Sequence, residues 1–176
     1  MKNASDSLSI CASICRRRCS SASASKERPV AAAEARPTTL AVIILDIDHF
    51  KAVNDTHGHL IGSKLLAEIG YLVKAQLRLI DFAYRYGGDE FVVLLPQTGK
   101  DSALVVAKRL RDSLRTSMFC KEEGLNLNVR ASMGVATYPH DAKTPHDIIR
   151  QADEMMYLVK NTSRDNIGIA QRGVMK

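Results

Sequence analysis

The chain has 176 residues, 45% hydrophobic and 25% charged, with a mean hydropathy of −0.12. That balance excludes whole-chain disorder, and the length suits one domain with an adequate core rather than two. No uncharged apolar run reaches the roughly 18 residues of a membrane span, and the start has no apolar signal region, so a cytoplasmic protein without a membrane span is expected.

The net charge of +6 is unevenly spread. Residues 1–37 hold seven Lys/Arg against three acids, a net of +4, which leaves +2 for the rest. A body this close to neutral argues against a basic face for long nucleic acids. Arg16-Arg17-Arg18 reads as a solvated tail, with RNA or a membrane surface as the other reading. Cys11, Cys15 and Cys19 fall at i, i+4, i+8 without a fourth local ligand or a CxxC pair, which argues against a metal there. Cys120 stands alone and is expected to be a partly buried thiol in a reducing compartment.

In chain order, residues 1–37 are rich in Ser, Ala, Cys and Arg and show no clear period, so they are expected to form a flexible leader ahead of a domain at 38–176. Leu40–Ile47 (LAVIILDI) reads as a buried strand that ends in acid. Apolar residues at 65, 66, 69, 72, 73, 77 and 80 predict a helix over Ser63–Ile80. Phe82–Tyr86 and Phe91–Leu95, joined by Gly87-Gly88-Asp89-Glu90, read as a hairpin. A helix over Asp101–Met118 and an alternating strand over Asn128–Thr137 follow. Thr144-Pro145 then opens a third helix, with Asp147 near its positive end, and Ile167–Ala170 is a last short strand. This order, βαββαβ plus a helix and a strand, predicts an α/β (α+β) domain with a ferredoxin-like, palm-type core, a mostly antiparallel central sheet and its helices in two layers.

Chemistry concentrates at two places. Asp46 and Asp48 flank Ile47 where a buried strand emerges, and Asp89 and Glu90 follow two glycines in the hairpin. If those strands are neighbours, four carboxylates meet at one edge, a costly grouping unless a hard cation such as Mg²⁺ neutralises it. Gly87 and Gly88 let a bulky ligand approach the backbone. Lys51, Lys160 and Arg164 supply cations suited to phosphates. The combination points to nucleotide phosphoryl transfer; the bland reading is a tight turn with solvated acids.

RYGGDEF at 85–91, LDIDHFKAVNDTHGH at 45–59 and ADEMMYLVKNTSRDN at 152–166 resemble, in order, the GGDEF domain of diguanylate cyclases over roughly residues 38–170. The resemblance implies a fold like that of nucleotidyl cyclases and the condensation of two GTP into cyclic di-GMP with release of pyrophosphate. In the family each of two domains presents one GTP, so a transient homodimer is expected. By position, Asp46, the backbone carbonyl of Ile47 and Asp89 would hold Mg²⁺, or Mn²⁺, and Asp89 would accept the 3′-hydroxyl proton. Phe50 would offer its N–H to the phosphates, Lys51 would stabilise charge developing in transfer, and Lys160 and Arg164 would grip the triphosphate. Asn54 matches a base-contacting position, His59 another substrate-binding one, and Glu90 a motif position of less definite role.

The family's helix normally carries GHxxGD, whose Asp reads guanine. Here Gly58-His59-Leu60-Ile61-Gly62-Ser63 places serine there. A carboxylate accepts from guanine N1–H and the 2-amino group but repels the acceptor N1 of adenine, whereas a hydroxyl tolerates either edge. Losing a hydrogen bond to a charged group costs about 1.5–3 kcal/mol, on the order of 10–100-fold in guanine preference. Ser63 thus resembles the mark of the hybrid promiscuous subgroup, which takes ATP beside GTP and makes 3′,3′-cyclic GMP-AMP. A strict cyclic di-GMP synthase and a weakly active domain that binds GTP or cyclic dinucleotide are the alternatives.

Arg78 and Asp81, five residues or more before Gly87, match the family's inhibitory RxxD site for cyclic dinucleotide product, and Arg109 matches its secondary arginine. An i, i+3 surface ion pair on a helix end is the alternative. The DxLTGLxNR stretch that normally precedes the first strand is missing: Asp6-Ser7-Leu8 begins like it and then diverges. A local frame change over 9–37 would account for this. It is refuted if no shifted frame of the coding DNA restores LTGL-like sequence.

Overall fold

The computed structural model describes residues 39–171. The expected leader, with Cys11, Cys15 and Cys19, lies outside the described residues. The elements are β1 (Leu40–Ile47), α1 (Phe50–Ala75), β2 (Phe82–Gly87), β3 (Glu90–Pro96), α2 (Lys100–Thr116), β4 (Ala131–Tyr138), α3 (Pro145–Thr162) and β5 (Ile167–Ile169). They build one five-stranded sheet in the order β2-β3-β1-β4-β5. All neighbours are antiparallel except β4 and β5, which run parallel.

β1 is the central strand because it is apolar on both faces. Ala41, Ile43, Leu45 and Ile47 point into a core with Leu65, Ile69 and Val73 of α1 and Leu110 and Leu114 of α2. Val42 and Ile44 are buried on the opposite side, where α3 lies. The helices therefore cover both faces and make three layers, not the two expected. Gly134 of β4 and Gly168 of β5 are where α3 comes down on the sheet: a Cβ on Gly134 would sit 1.9 Å from the carbonyl oxygen of Ala152.

Two elements have boundaries that differ from expectation by three residues or more. α1 starts at Phe50, thirteen residues before Ser63, and stops at Ala75 rather than Ile80. Its first two turns carry polar residues and so lack the apolar period that marks the later ones. The helix is kinked at Gly58 (φ 83°, ψ 160°), a left-handed φ that glycine adopts without penalty. β4 starts at Ala131 rather than Asn128, since Phe119 and Leu127 pair with each other just before it. α3 begins as read: Pro145 is in its first turn and the Thr144 hydroxyl accepts from the Asp147 N–H at 3.1 Å. Cys120 is wholly buried, not partly, on the α1–α2 core.

Candidate functional site

The β1–β3 register puts Asp46 opposite Glu90, and one residue on, the Ile47 N–H donates to the Asp89 carbonyl at 3.2 Å. The acidic strand end and the Gly-Gly hairpin thus meet at one edge of the sheet. Asp46 is 1% exposed. Its Oδ2 accepts from Lys160 Nζ at 2.6 Å, while its Oδ1 is buried and has no hydrogen-bond partner among the described residues. Burial pushes the Asp46 carboxyl upward against the Lys160 hydrogen bond, and the charges of Asp89 and Asp48 push the same way. Glu90 is raised too, by burial and then by the charges of Asp46, Asp153 and Asp89. Burial pulls the Lys160 ammonium down, but the Asp46 hydrogen bond and the charges of Asp46, Asp89 and Glu90 outweigh it and hold it raised.

This corner is short of positive charge. An orphaned, buried carboxylate oxygen on Asp46, next to the Ile47 backbone and in the field of Asp89, is a hard oxygen donor set that fits a divalent cation.

Of the four expected acids, Asp48 has a different occupation. Its carboxylate accepts from Ser132 Oγ at 2.8 Å and from the Asp165 N–H at 2.9 Å, and its own N–H donates to the Arg130 carbonyl. Asp165 in turn holds Arg115 (2.8 Å) and Arg130 (3.1 Å). Asp48 therefore anchors the turn after α3, which carries Arg164. Sequence reading missed this scaffold, since nothing in the local pattern joins positions 48, 115, 130, 132 and 165.

The other predicted residues gather around the same edge. Phe50 is buried as the first residue of α1, and Lys51 is exposed beside it. His49, which precedes them, makes no side-chain cap; its carbonyl accepts from the Ala52 N–H at 2.9 Å, and the N–H groups of Phe50 and Lys51 are left to other acceptors. Arg164, in the left-handed region (φ 47°), lies 3.4 Å from His49 Nε2. Half-buried Asn54 rests against Gly62: a Cβ there would lie 2.0 Å from Asn54 Oδ1 and 3.1 Å from the Phe50 ring. The kink at Gly58 thus folds Asn54 back toward the turn that bears His59 and Ser63, both exposed. Gly62 was legible only as part of a motif, not as a seat for Asn54. Gly87 and Gly88 are exposed, with open space where a Cβ would be.

Arg78 and Asp81 sit in the turn between α1 and β2, beyond the helix end. Their contact is not the side-chain ion pair that was the alternative: the Arg78 backbone N–H donates to Asp81 Oδ2 at 2.8 Å, and Asp81 Oδ1 is buried without a hydrogen-bond partner. Arg109 Nη2 donates to the Gln76 carbonyl, so α2 reaches the same turn. A groove of about 610 Å³ runs alongside, lined by Arg78, Asp81, Lys74 and Arg85 over Leu77 and Phe82.

A separate trio, Glu68, Cys120 and Glu123, brings ligand atoms within 4.8 Å of one another. Lys64 already pairs with Glu123, and burial followed by the charges of Glu68 and Glu123 pushes the Cys120 thiol up. That group fastens the 119–127 loop to α1.

A palm-type sheet with carboxylates and phosphate-suited cations at one strand end defines a nucleotidyl-cyclase class of domain. The family profile described as "Diguanylate cyclase, GGDEF domain" matches residues 17–166, and the chain belongs to that family. The match begins inside the segment read as a leader. The chain is 36% identical over 138 residues to diguanylate cyclase A of Treponema denticola, covering 78% of this chain and 37% of that protein. It thus spans little more than a third of that relative's length. Among solved structures, the GGDEF domain of YfiN (TpbB) from Pseudomonas aeruginosa superposes with a TM-score of 0.72 at 34% identity, covering 77% of this chain and 84% of that one. The GGDEF domain of DgcB from Caulobacter crescentus, in complex with c-di-GMP, gives 0.70 at 27% identity, covering 76% and 78%. No helix among the described residues is long and apolar enough to cross a membrane.

Proposed function

We propose that the chain is a divalent-metal-dependent cyclic dinucleotide synthase that condenses two purine nucleoside triphosphates and releases pyrophosphate. The observation that carries this reading is Asp46, buried with one unpartnered oxygen and set opposite Glu90 beside the Asp89 turn. Asp46, the Ile47 carbonyl and Asp89 would hold Mg²⁺ or Mn²⁺, which supplies charge neutralisation at the transferring phosphate.

The chain's own residues do the rest. The uncapped first turn of α1, at Phe50, receives phosphate oxygens. Lys51 meets charge that develops on them, and Lys160 and Arg164 bind the triphosphate from the α3 side. The 3′-hydroxyl of a nucleotide on a second copy attacks the α-phosphorus. The new P–O bond forms as the α–β bond breaks, pyrophosphate leaves, and the hydroxyl proton passes to Asp89. Repeating the step in the other direction closes the ring. Two half-sites must meet, so rate per molecule rises with protein concentration.

Ser63, on the exposed turn beside the Asn54 seat, supports a hybrid specificity in which ATP is accepted with GTP and 3′,3′-cyclic GMP-AMP forms beside cyclic di-GMP. His59 lines the same turn. The groove at Arg78 and Asp81, with Arg109 reaching the same turn from α2, is read as a product-binding, inhibitory site, on the strength of the buried Asp81 oxygen that has no partner among the described residues.

The test is product analysis with equimolar GTP and ATP, Mg²⁺ and high protein concentration, for the parent and Ser63→Asp. Cyclic GMP-AMP from the parent, shifting to cyclic di-GMP in the variant on the order of 10–100-fold, is the expected result. Only cyclic di-GMP from both would overturn the hybrid specificity and leave a strict diguanylate cyclase. No product from either would leave a nucleotide-binding domain. Added cyclic di-GMP should slow the parent and spare Arg78→Ala; equal inhibition of both would remove the groove as the inhibitory site.

A further inference from the structure

We propose that Arg85 is a positioning residue for Asp89, acting through the backbone of the Gly87-Gly88 turn. This rests on the reading of Asp89 as metal ligand and proton acceptor. The turn has little to hold it in place by itself. Two consecutive glycines carry the largest backbone freedom of any pair, and neither has a neighbour within 4 Å of where a Cβ would be. The β2–β3 ladder holds the turn only at its base, where Gly87 pairs with Glu90 after a register shift between Arg85 and Gly87, and leaves the Gly88 peptide without a restraint of its own.

Arg85 supplies it. Its Nε and Nη2 donate to the Gly88 carbonyl at 2.9 and 2.6 Å. The Gly88 carbonyl belongs to the peptide plane that ends in the Asp89 nitrogen. The plane on the other side of Asp89 is held as well, since the Asp89 carbonyl accepts from the Ile47 N–H at 3.2 Å. With both flanking planes pinned, the Cα–Cβ direction of Asp89 is set toward the corner it shares with Asp46. Removing the guanidinium frees one plane and leaves the other, so Asp89 loses its aim while the strands stay paired. Gly88 sits at φ +34°, on the left-handed side, and the fork on its carbonyl resists relaxation of that φ.

The experiment compares the parent, Arg85→Ala and Arg85→Lys as full chains. It measures pyrophosphate release from GTP, the Mg²⁺ midpoint, binding of a fluorescent GTP analogue and melting temperature. Misaiming a reacting group by about 1 Å can cost on the order of 100-fold. Arg85→Ala is accordingly expected to lower kcat roughly 10–100-fold and raise the Mg²⁺ midpoint several-fold, with nucleotide KM held within about threefold. Melting temperature should stay within a few degrees, because Arg85 is exposed. Arg85→Lys, able to reach the same carbonyl with one donor, should recover part of kcat and of the Mg²⁺ midpoint. Unchanged kcat and Mg²⁺ midpoint in Arg85→Ala, or losses that lysine does not rescue and that track melting temperature, would overturn the proposal. If the parent itself releases no pyrophosphate, the synthase reading has failed. Mg²⁺-dependent binding of the GTP analogue then decides for Arg85: a weakened Mg²⁺ dependence in Arg85→Ala supports the role, and an unchanged one removes it.

Discussion

At the scale of single residues, the site is built as much by what is absent as by what is present. Asn54 occupies the volume that any side chain at position 62 would need, with its Oδ1 2.0 Å from where a Cβ would be. Gly62→Ala is therefore expected to push Asn54 off its seat while adding helix propensity of up to ~1 kcal/mol. For the proposed contact of Asn54 with the base, one lost hydrogen bond corresponds to about 0.5–1.5 kcal/mol, so guanine nucleotide affinity should fall by up to roughly tenfold with melting temperature little changed. Calorimetric titration with a non-hydrolysable GTP analogue, beside a thermal melt, checks it; unchanged affinity would show that Asn54 is not held by this contact. The neighbouring carboxylates show the same logic in charge. Asp46 is costly as it stands, buried and raised, and among the described residues Lys160 is the cation that bonds to it directly. That burial is a cost to stability, and it supports the metal-binding role proposed for Asp46.

Among the elements, α1 and α3 illustrate what a pattern carries and what it cannot. The later turns of α1 bury Leu65, Leu66, Ile69 and Val73 and so announce themselves by period. The first two turns carry Lys51, Asn54 and Asp55, and only Phe50 and Val53 reach the core from them, too few to announce a period. α3 was legible from its cap, its proline and its apolar stripe, but not the reason it can lie so close to the sheet. That reason is a pair of glycines in two other strands. Gly134→Ala would place its Cβ 1.9 Å from the Ala152 oxygen and 2.4 Å from the Met156 nitrogen, both backbone atoms that cannot swing aside. A destabilisation of at least ~2–3 kcal/mol is expected, or a melting temperature lower by roughly 5–10 °C. A melt within a degree or two of the parent would mean that α3 shifts as a body at little cost.

For the whole molecule, the end of the sheet opposite the site is tied by one carboxylate. Asp141 has a fully buried side chain that accepts from Lys100 Nζ at 2.6 Å, from the Thr137 N–H and hydroxyl, and contacts His140 Nδ1 at 2.9 Å. Lys100 also donates to the Ala170 carbonyl, which joins the start of α2 to the strand after α3. Burial pushes the Asp141 carboxyl up, but these donors outweigh it and hold it below the usual carboxylate range. A depressed folded-state pKa means that its contribution is present above the unfolded value of about 4 and is lost as pH falls through the folded value. Asp141→Asn should therefore lower stability at pH 7 by about 1.5–3 kcal/mol, with the gap to the parent narrowing below about pH 4. Urea unfolding at pH 7 and pH 3 measures both; an equal gap at the two values would mean that ionisation of Asp141 contributes nothing.

The order of strands and helices, the buried central strand, the two acidic clusters and the hairpin were all present in the sequence, because periodicity, glycine pairs and caps are local properties. So was the membership of a family whose motifs stand in order along 45–166. The resemblance named Asp46 rather than Asp48 for the metal, but the physical reason for that division was not local. Asp46 and Asp48 are two residues apart in one strand, yet one is left with an unpartnered oxygen and the other is saturated by Ser132 and the Asp165 backbone. Partners 84 and 117 residues away decide that difference, and only the closed sheet brings them within hydrogen-bonding distance. The third layer, the seat of Asn54 on Gly62 and the grip of Arg85 on the Gly88 carbonyl follow the same rule. Each depends on how close two backbones come, and that distance exists only once the chain has packed.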